Sequence, residues 1–270
     1  MTTLSPATFS ATTSDPQTAE PAPIGKFTVG ESLAYGFKAM YGGSRFISWL
    51  VFSIMALVVH LPALLLMIPY IFATASVDAD SLEMYSDVPV WAWATYVLAI
   101  VWAVYAQASV LRGIIEGVRT GVPSLKGLAF PVNASLGRVY IYTIVEAVLA
   151  VIAAIPMIAL GLLAMGSVSL FLVGVLLTFI LVLALSLYLA FARQAVIDSG
   201  LGVIDSIKYS AALVHKNFGA TLGLLIVTGI IQMSASTLFF FPILLVLAPV
   251  SIAFVHAYRV AGHGEVYALN

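Results

Sequence analysis

Four long runs of the chain carry no charged side chain: residues 46–77 (32 positions), 88–111 (24), 147–192 (46) and 217–258 (42). A helix needs about 20 apolar residues to cross a hydrocarbon core roughly 30 Å thick. The first two runs therefore hold one span each, the first from about Phe46 to Tyr70. The other two are each about twice the length of a span. They predict hairpins that turn near Ala164 to Ser169 and between Ser234 and Pro242. The expected fold is all-α, a polytopic membrane bundle of six transmembrane helices over residues 26–262. Residues 1–25 form a disordered tail and 263–270 a short tail.

Between the runs the spacing changes. Val29, Leu33, Phe37 and Met40 recur on one face of a short helix, with Glu31 and Lys38 elsewhere. Val203, Ile207, Ala211 and Val214 do the same opposite Asp205, Lys208 and His215. Such amphipathic helices lie along a headgroup layer. The two segments also match in sequence. Val29, Glu31, Ser32, Leu33 and Tyr35 correspond to Val203, Asp205, Ser206, Ile207 and Tyr209 at a constant offset of 174. A fainter middle copy sets Ser124, Leu125, Leu136 and Gly137 on Ser206, Ile207, Phe218 and Gly219. The pattern predicts a threefold repeat of one surface helix followed by a two-span hairpin. The acidic residue and Ser near the start of two copies suit a helix N-terminus.

Charge fixes an expected orientation. All 11 Lys and Arg fall before span one, after span two, after span four or after span six, and the other three connections hold none. Short loops rich in Lys and Arg stay in the cytoplasm, so both termini are expected there, in a multi-pass plasma-membrane protein. The first outer connection carries Asp78, Asp80, Glu83 and Asp87. Trp49, Trp91, Trp93, Tyr70 and Tyr140 fall near predicted span ends, where amphipathic rings suit the interface. With 62% hydrophobic and 9% charged residues, the composition is that of a chain solvated by a bilayer. A net charge of -1 offers no basic face to nucleic acid, and the absence of Cys excludes disulfides and thiolate chemistry.

The stretch AVIDSGLGVIDSIKYSAALVHKNFGAT, residues 195–221, resembles the glycerophosphodiester phosphodiesterase membrane-domain family and related six-span bacterial proteins, including those of actinobacteria. The opening FTVGESLAYGF, residues 27–37, resembles the same family's amino-terminal surface helix. In some relatives this module is fused to a soluble domain that carries the catalysis. The resemblance implies fold and location, and it transfers no active site.

Few polar residues lie at span depth. Glu146 is the only acidic one, roughly 12 Å past Arg138, and an intramembrane carboxylate points to ion coupling, substrate contact or helix association. Gln107, roughly 8 Å deep on the same side, is its candidate partner. His60 and Gln232 sit at matching depths in spans one and five and are expected to contact each other or pack. His256 and His263 flank Arg259, where headgroup contact is expected. Gly113, Gly117 and Gly121 recur every fourth residue, as helix packing contacts do. Pro62 and Pro69 mark the end of span one as an irregular region.

No phosphate-cradling Gly-rich loop, metalloprotease helix or nucleophile elbow occurs, and no catalytic residue, cofactor or metal is expected. The reading is a non-enzymatic membrane protein that organises or binds membrane lipids or other membrane and envelope proteins. The alternative is a transporter for a hydrophobic or lipid-like solute with Glu146 and Gln107 on its path.

Overall fold

The structure, a computed structural model, describes residues 25–75, 88–129, 135–163, 167–237, 240–262, 264, 266, 268 and 269. The two tails therefore lie wholly or partly outside the described residues, as do the acidic connection, both tight hairpin turns and His263. The described elements are helical. They are α1 (Val29–Tyr41), α2 (Phe46–Ala75), α3 (Val90–Thr120), α4 (Leu125–Ala129) and α5 (Ser135–Leu163), followed by α6 (Val168–Leu189), α7 (Ala192–Asp198), α8 (Val203–Lys216), α9 (Phe218–Thr237) and α10 (Phe240–Ala261). Five helices are long and apolar enough to cross a membrane, α6 counted together with α7, and α10 adds a sixth apolar helix of 22 residues.

The spans pair as hairpins α2 with α3, α5 with α6 and α9 with α10. The short helices pack on these hairpins. Surface helix α4 packs on α3, α8 packs on α6 and α7, and α1 packs on α10. Each surface helix thus seats on the second span of the preceding hairpin, and the first helix seats on the last span. The same relation occurs three times among the described helices.

The seating face overlaps the one expected, sharing Met40 and Val214, and is turned toward small residues. In α1 the buried residues are Ser32, Gly36, Ala39 and Met40, while Val29, Leu33 and Phe37 are half-buried at its flank. In α8 they are Ser206, Ser210, Leu213 and Val214, with Val203 and Ile207 half-buried. Small residues win the interface because a helix docking on protein gains most where backbones come close. A Cβ added at Gly36 would stand 2.2 Å from the Pro249 carbonyl oxygen of α10. Ser32 and Ser206 belong to this seam and are not caps. Thr28 caps α1, its hydroxyl accepting from the Glu31 amide at 3.2 Å, and Gly202 begins α8 without a side-chain cap.

Other expectations are corrected by packing. Helix α2 runs without a break through Pro62 and Pro69. Proline removes a backbone donor, and near the first of them the Trp102 indole donates to the Val59 carbonyl at 2.7 Å. Trp49 is not an interface anchor. It is 1% exposed, seated against Gly117, where an added Cβ would meet its ring at 2.5 Å. Gly113 receives Phe52 in the same way, at 2.4 Å, whereas Gly121 ends α3 at φ 83°, which glycine alone adopts without strain. Three of the four buried clusters gather the ends of α3, α6 and α10 with the short helices at the cation-rich end. The fourth is small, with Ala73, Val88 and Ala92 beneath Tyr70 and Trp93 at the opposite end.

Candidate functional site

Helix α6 stops at Leu189 and α7 restarts at Ala192. The break is held by α8: the Ser210 hydroxyl donates to the Tyr188 carbonyl at 2.7 Å and accepts from the Phe191 amide at 3.1 Å. One side chain thus satisfies two backbone groups that the interrupted helix leaves open. Immediately after the break come Arg193 and Gln194.

Arg193 joins the two polar residues that sequence places nearest the same membrane side. One guanidinium nitrogen donates to the Glu146 carboxylate of α5 at 2.5 Å, and the other donates to Gln107 Oε1 of α3 at 2.6 Å. Its carbon lies 5.8 Å from the ring centre of Tyr142, one turn before Glu146. A carboxylate or a guanidinium alone at this depth is costly, and together they form a neutral, hydrogen-bonded unit. The pair opens on a cavity of about 600 Å³. Its polar wall is Glu146, Arg193, Gln194, Gln232, Ser186 and Ser251, and its apolar wall includes Leu111, Leu225, Val250 and Phe254. Gln194 is 8% exposed and its Oε1 has no hydrogen-bond partner.

His60 and Gln232 are not brought into one site. His60 lines a separate, mainly apolar cavity of about 300 Å³ with Phe52, Leu57 and Leu247, which shares only Ser251 with the first. Its Nδ1 lies 2.7 Å from the Ala56 carbonyl, a bond within its own helix in which the ring nitrogen must donate.

A second ion pair has a different character. Arg259 is 6% exposed and donates to Asp198 at 2.7 Å, fastening α10 to the end of α7. The adjoining turn is fixed from both sides: Ser199 and Tyr258 hydroxyls are 3.1 Å apart, and Arg138 donates to the Gly200 carbonyl. Gly200 has φ 64°, so the turn needs a residue without a Cβ. Burial and the Asp198 charge together raise the Tyr209 phenol above its ordinary range, which keeps it a neutral group beside this clasp. Arg259 and His256 therefore face protein, not headgroups. His256 stacks on Tyr35 at 4.2 Å, with its Nδ1 3.3 Å from Ser32 Oγ. Comparison with protein-family models, curated proteins and solved structures finds no match. The site must accordingly be read from its own chemistry.

Tyr142, Arg193 and Gln194 were not singled out from sequence. One signal for Arg193 was available: Glu146 and Arg193 bound the 46-residue uncharged run, and a hairpin turning at its midpoint returns its two ends to one level. Gln194 gave no such signal, because its burial depends on where the helix breaks.

Proposed function

We propose that the protein is a non-enzymatic, multi-pass plasma-membrane protein, cation-rich end in the cytoplasm, that binds a membrane lipid in the cavity beside Glu146 and Arg193. The observation that carries this reading is a polar-floored cavity at span depth, next to a hairpin that is almost wholly lipid-facing. In the most apolar windows of α5 and α6 only 6% of positions are buried. Contacts between α6 and α9 are sparse, which leaves a lateral route from the bilayer. An amphiphile suits such a place, its head at the ion pair and its chains along the apolar wall. Both ion-paired carboxylates, Glu146 and Asp198, are committed to arginines, which supports a binding role over general acid or base work.

The test is purification in native lipid discs, detergent extraction and mass spectrometry of retained lipid, comparing the natural protein with Leu225→Trp, whose larger ring narrows the cavity. Retained lipid should fall with the tryptophan. Equal retention would refute the reading. The orientation is tested with a reporter inserted after residue 166, which should be found outside the cytoplasm.

A transport reading draws support from the same carboxylate, since Glu146 faces a cavity open toward lipid. It predicts that Glu146→Gln abolishes flux of a lipid-like probe in vesicles, and unchanged flux would remove it.

A further inference from the structure

We propose that the cavity lined by His60 is a second binding site, whose occupant is an uncharged, membrane-soluble alcohol. The site lies apart from the Glu146 and Arg193 pair, and the two cavities share only Ser251. From Phe46 to His60 is roughly 21 Å along α2, which puts the cavity at span depth. Leu247 on its wall is 40% exposed, so the cavity has an edge on the bilayer.

Two polar side chains of this wall keep unused hydrogen-bonding capacity. The His60 Nδ1 proton is committed to the Ala56 carbonyl at 2.7 Å. No carboxylate lines the cavity to balance a cation, so the ring is neutral and Nε2 is an acceptor. Among the described residues Nε2 has no hydrogen-bond partner, and neither has the Ser251 hydroxyl. Both residues are half-buried, and both atoms keep accessible surface. The Ser53 hydroxyl, by contrast, donates to the Trp49 carbonyl at 2.8 Å and is left with acceptor capacity alone.

These groups narrow the class of occupant. A plain acyl chain brings neither donor nor acceptor and leaves both groups unsatisfied in hydrocarbon, which is costly. An ester or ketone brings acceptors only, so Nε2 stays unpaired. A hydroxyl answers both, its proton matching Nε2 and its oxygen matching the Ser251 O–H. A charged head would find no counter-charge, because no charged side chain lines the cavity. Phe52, Leu57 and Leu247 then receive an aliphatic body.

The full chain is reconstituted in phosphatidylcholine discs that hold equal small amounts of a diacylglycerol and its acetate ester, which has the same chains and no O–H. After detergent extraction the two are counted by native mass spectrometry. We expect the alcohol to exceed the ester about fivefold, the size of one neutral hydrogen bond. His60→Phe and, separately, Ser251→Ala should bring that ratio toward one while thermal stability persists. Leu225→Trp, in the other cavity, should leave the ratio as it is. The natural protein's ratio decides the matter even where a variant does not fold. A ratio near one, or an excess of the ester, overturns the proposal and means that water satisfies the two groups. A preference that falls with Leu225→Trp and survives His60→Phe belongs to the Glu146 cavity and overturns it as well.

Discussion

Helices α3 and α6 are both apolar and long enough to cross a bilayer, yet one is largely built into the protein and the other stands mostly outside it. In their most apolar windows 44% of α3 positions are buried and 6% of those in the stretch from α6 through α7. Much of the difference lies in small side chains, although α3 also buries Val104, Ile114, Ile115 and Val118. Helix α3 buries Ala92, Ala99, Ala106, Ala108, Ser109, Gly113 and Gly117, whereas α6 presents Leu, Val, Ile and Phe on nearly every side. Lipid tails are as apolar as leucine, so hydrophobicity draws no helix inward from the bilayer; close backbone approach and satisfied polar groups do. In this protein the more apolar span is the less buried one.

The comparison is most severely strained at the cation-rich end, where polar groups replace size. Arg259→Ala strands Asp198 without its partner and should cost about 3–5 kcal/mol in detergent-denaturant titrations. Replacing both residues with leucine should recover most of that loss. On α3 itself, Gly117→Leu drives side-chain atoms into the fully buried Trp49 ring and should cost about 1–3 kcal/mol by the same titration. Ser210→Ala leaves the Phe191 amide and Tyr188 carbonyl unpaired, an expected loss of about 1–2 kcal/mol, with faster amide exchange at residues 188–193 as its local signature. The smallest effect belongs to α6: Phe179→Ala, at a position 62% exposed, should shift stability by no more than about 0.5 kcal/mol. A large loss at Phe179 would mean that α6 has a protein partner in the membrane, and the contrast with α3 would collapse.

Much of the architecture was legible in sequence, for physical reasons that particular residues display. Charge is excluded from a bilayer core, so counting uncharged positions locates the long apolar helices. Periodicity found α1 and α8 and part of the face each buries: Met40 and Val214 are fully buried, and Val29, Leu33, Val203 and Ile207 pack against the buried clusters. Val29, Leu33 and Phe37 follow the rule for a helix resting on lipid, and the actual seat on α10 is set by Ser32 and Gly36. Local rules also misjudged Pro62, Pro69 and Trp49, because tertiary contacts across the α2 and α3 hairpin decide their fate. At the site, Glu146 and Gln107 stood out as polar residues among apolar ones. Arg193 did not, because a cation one position beyond an uncharged run looks like an ordinary anchor until the helix break at Leu189 is known.

The seat of α1 on α10 has a temporal meaning. Ribosomes deliver α1 before every other described helix and α10 after them, so the Gly36 to Pro249 contact joins segments made far apart in time. Until α10 has been made, α1 has no such groove to occupy, and its docking waits as a latch does for its keeper.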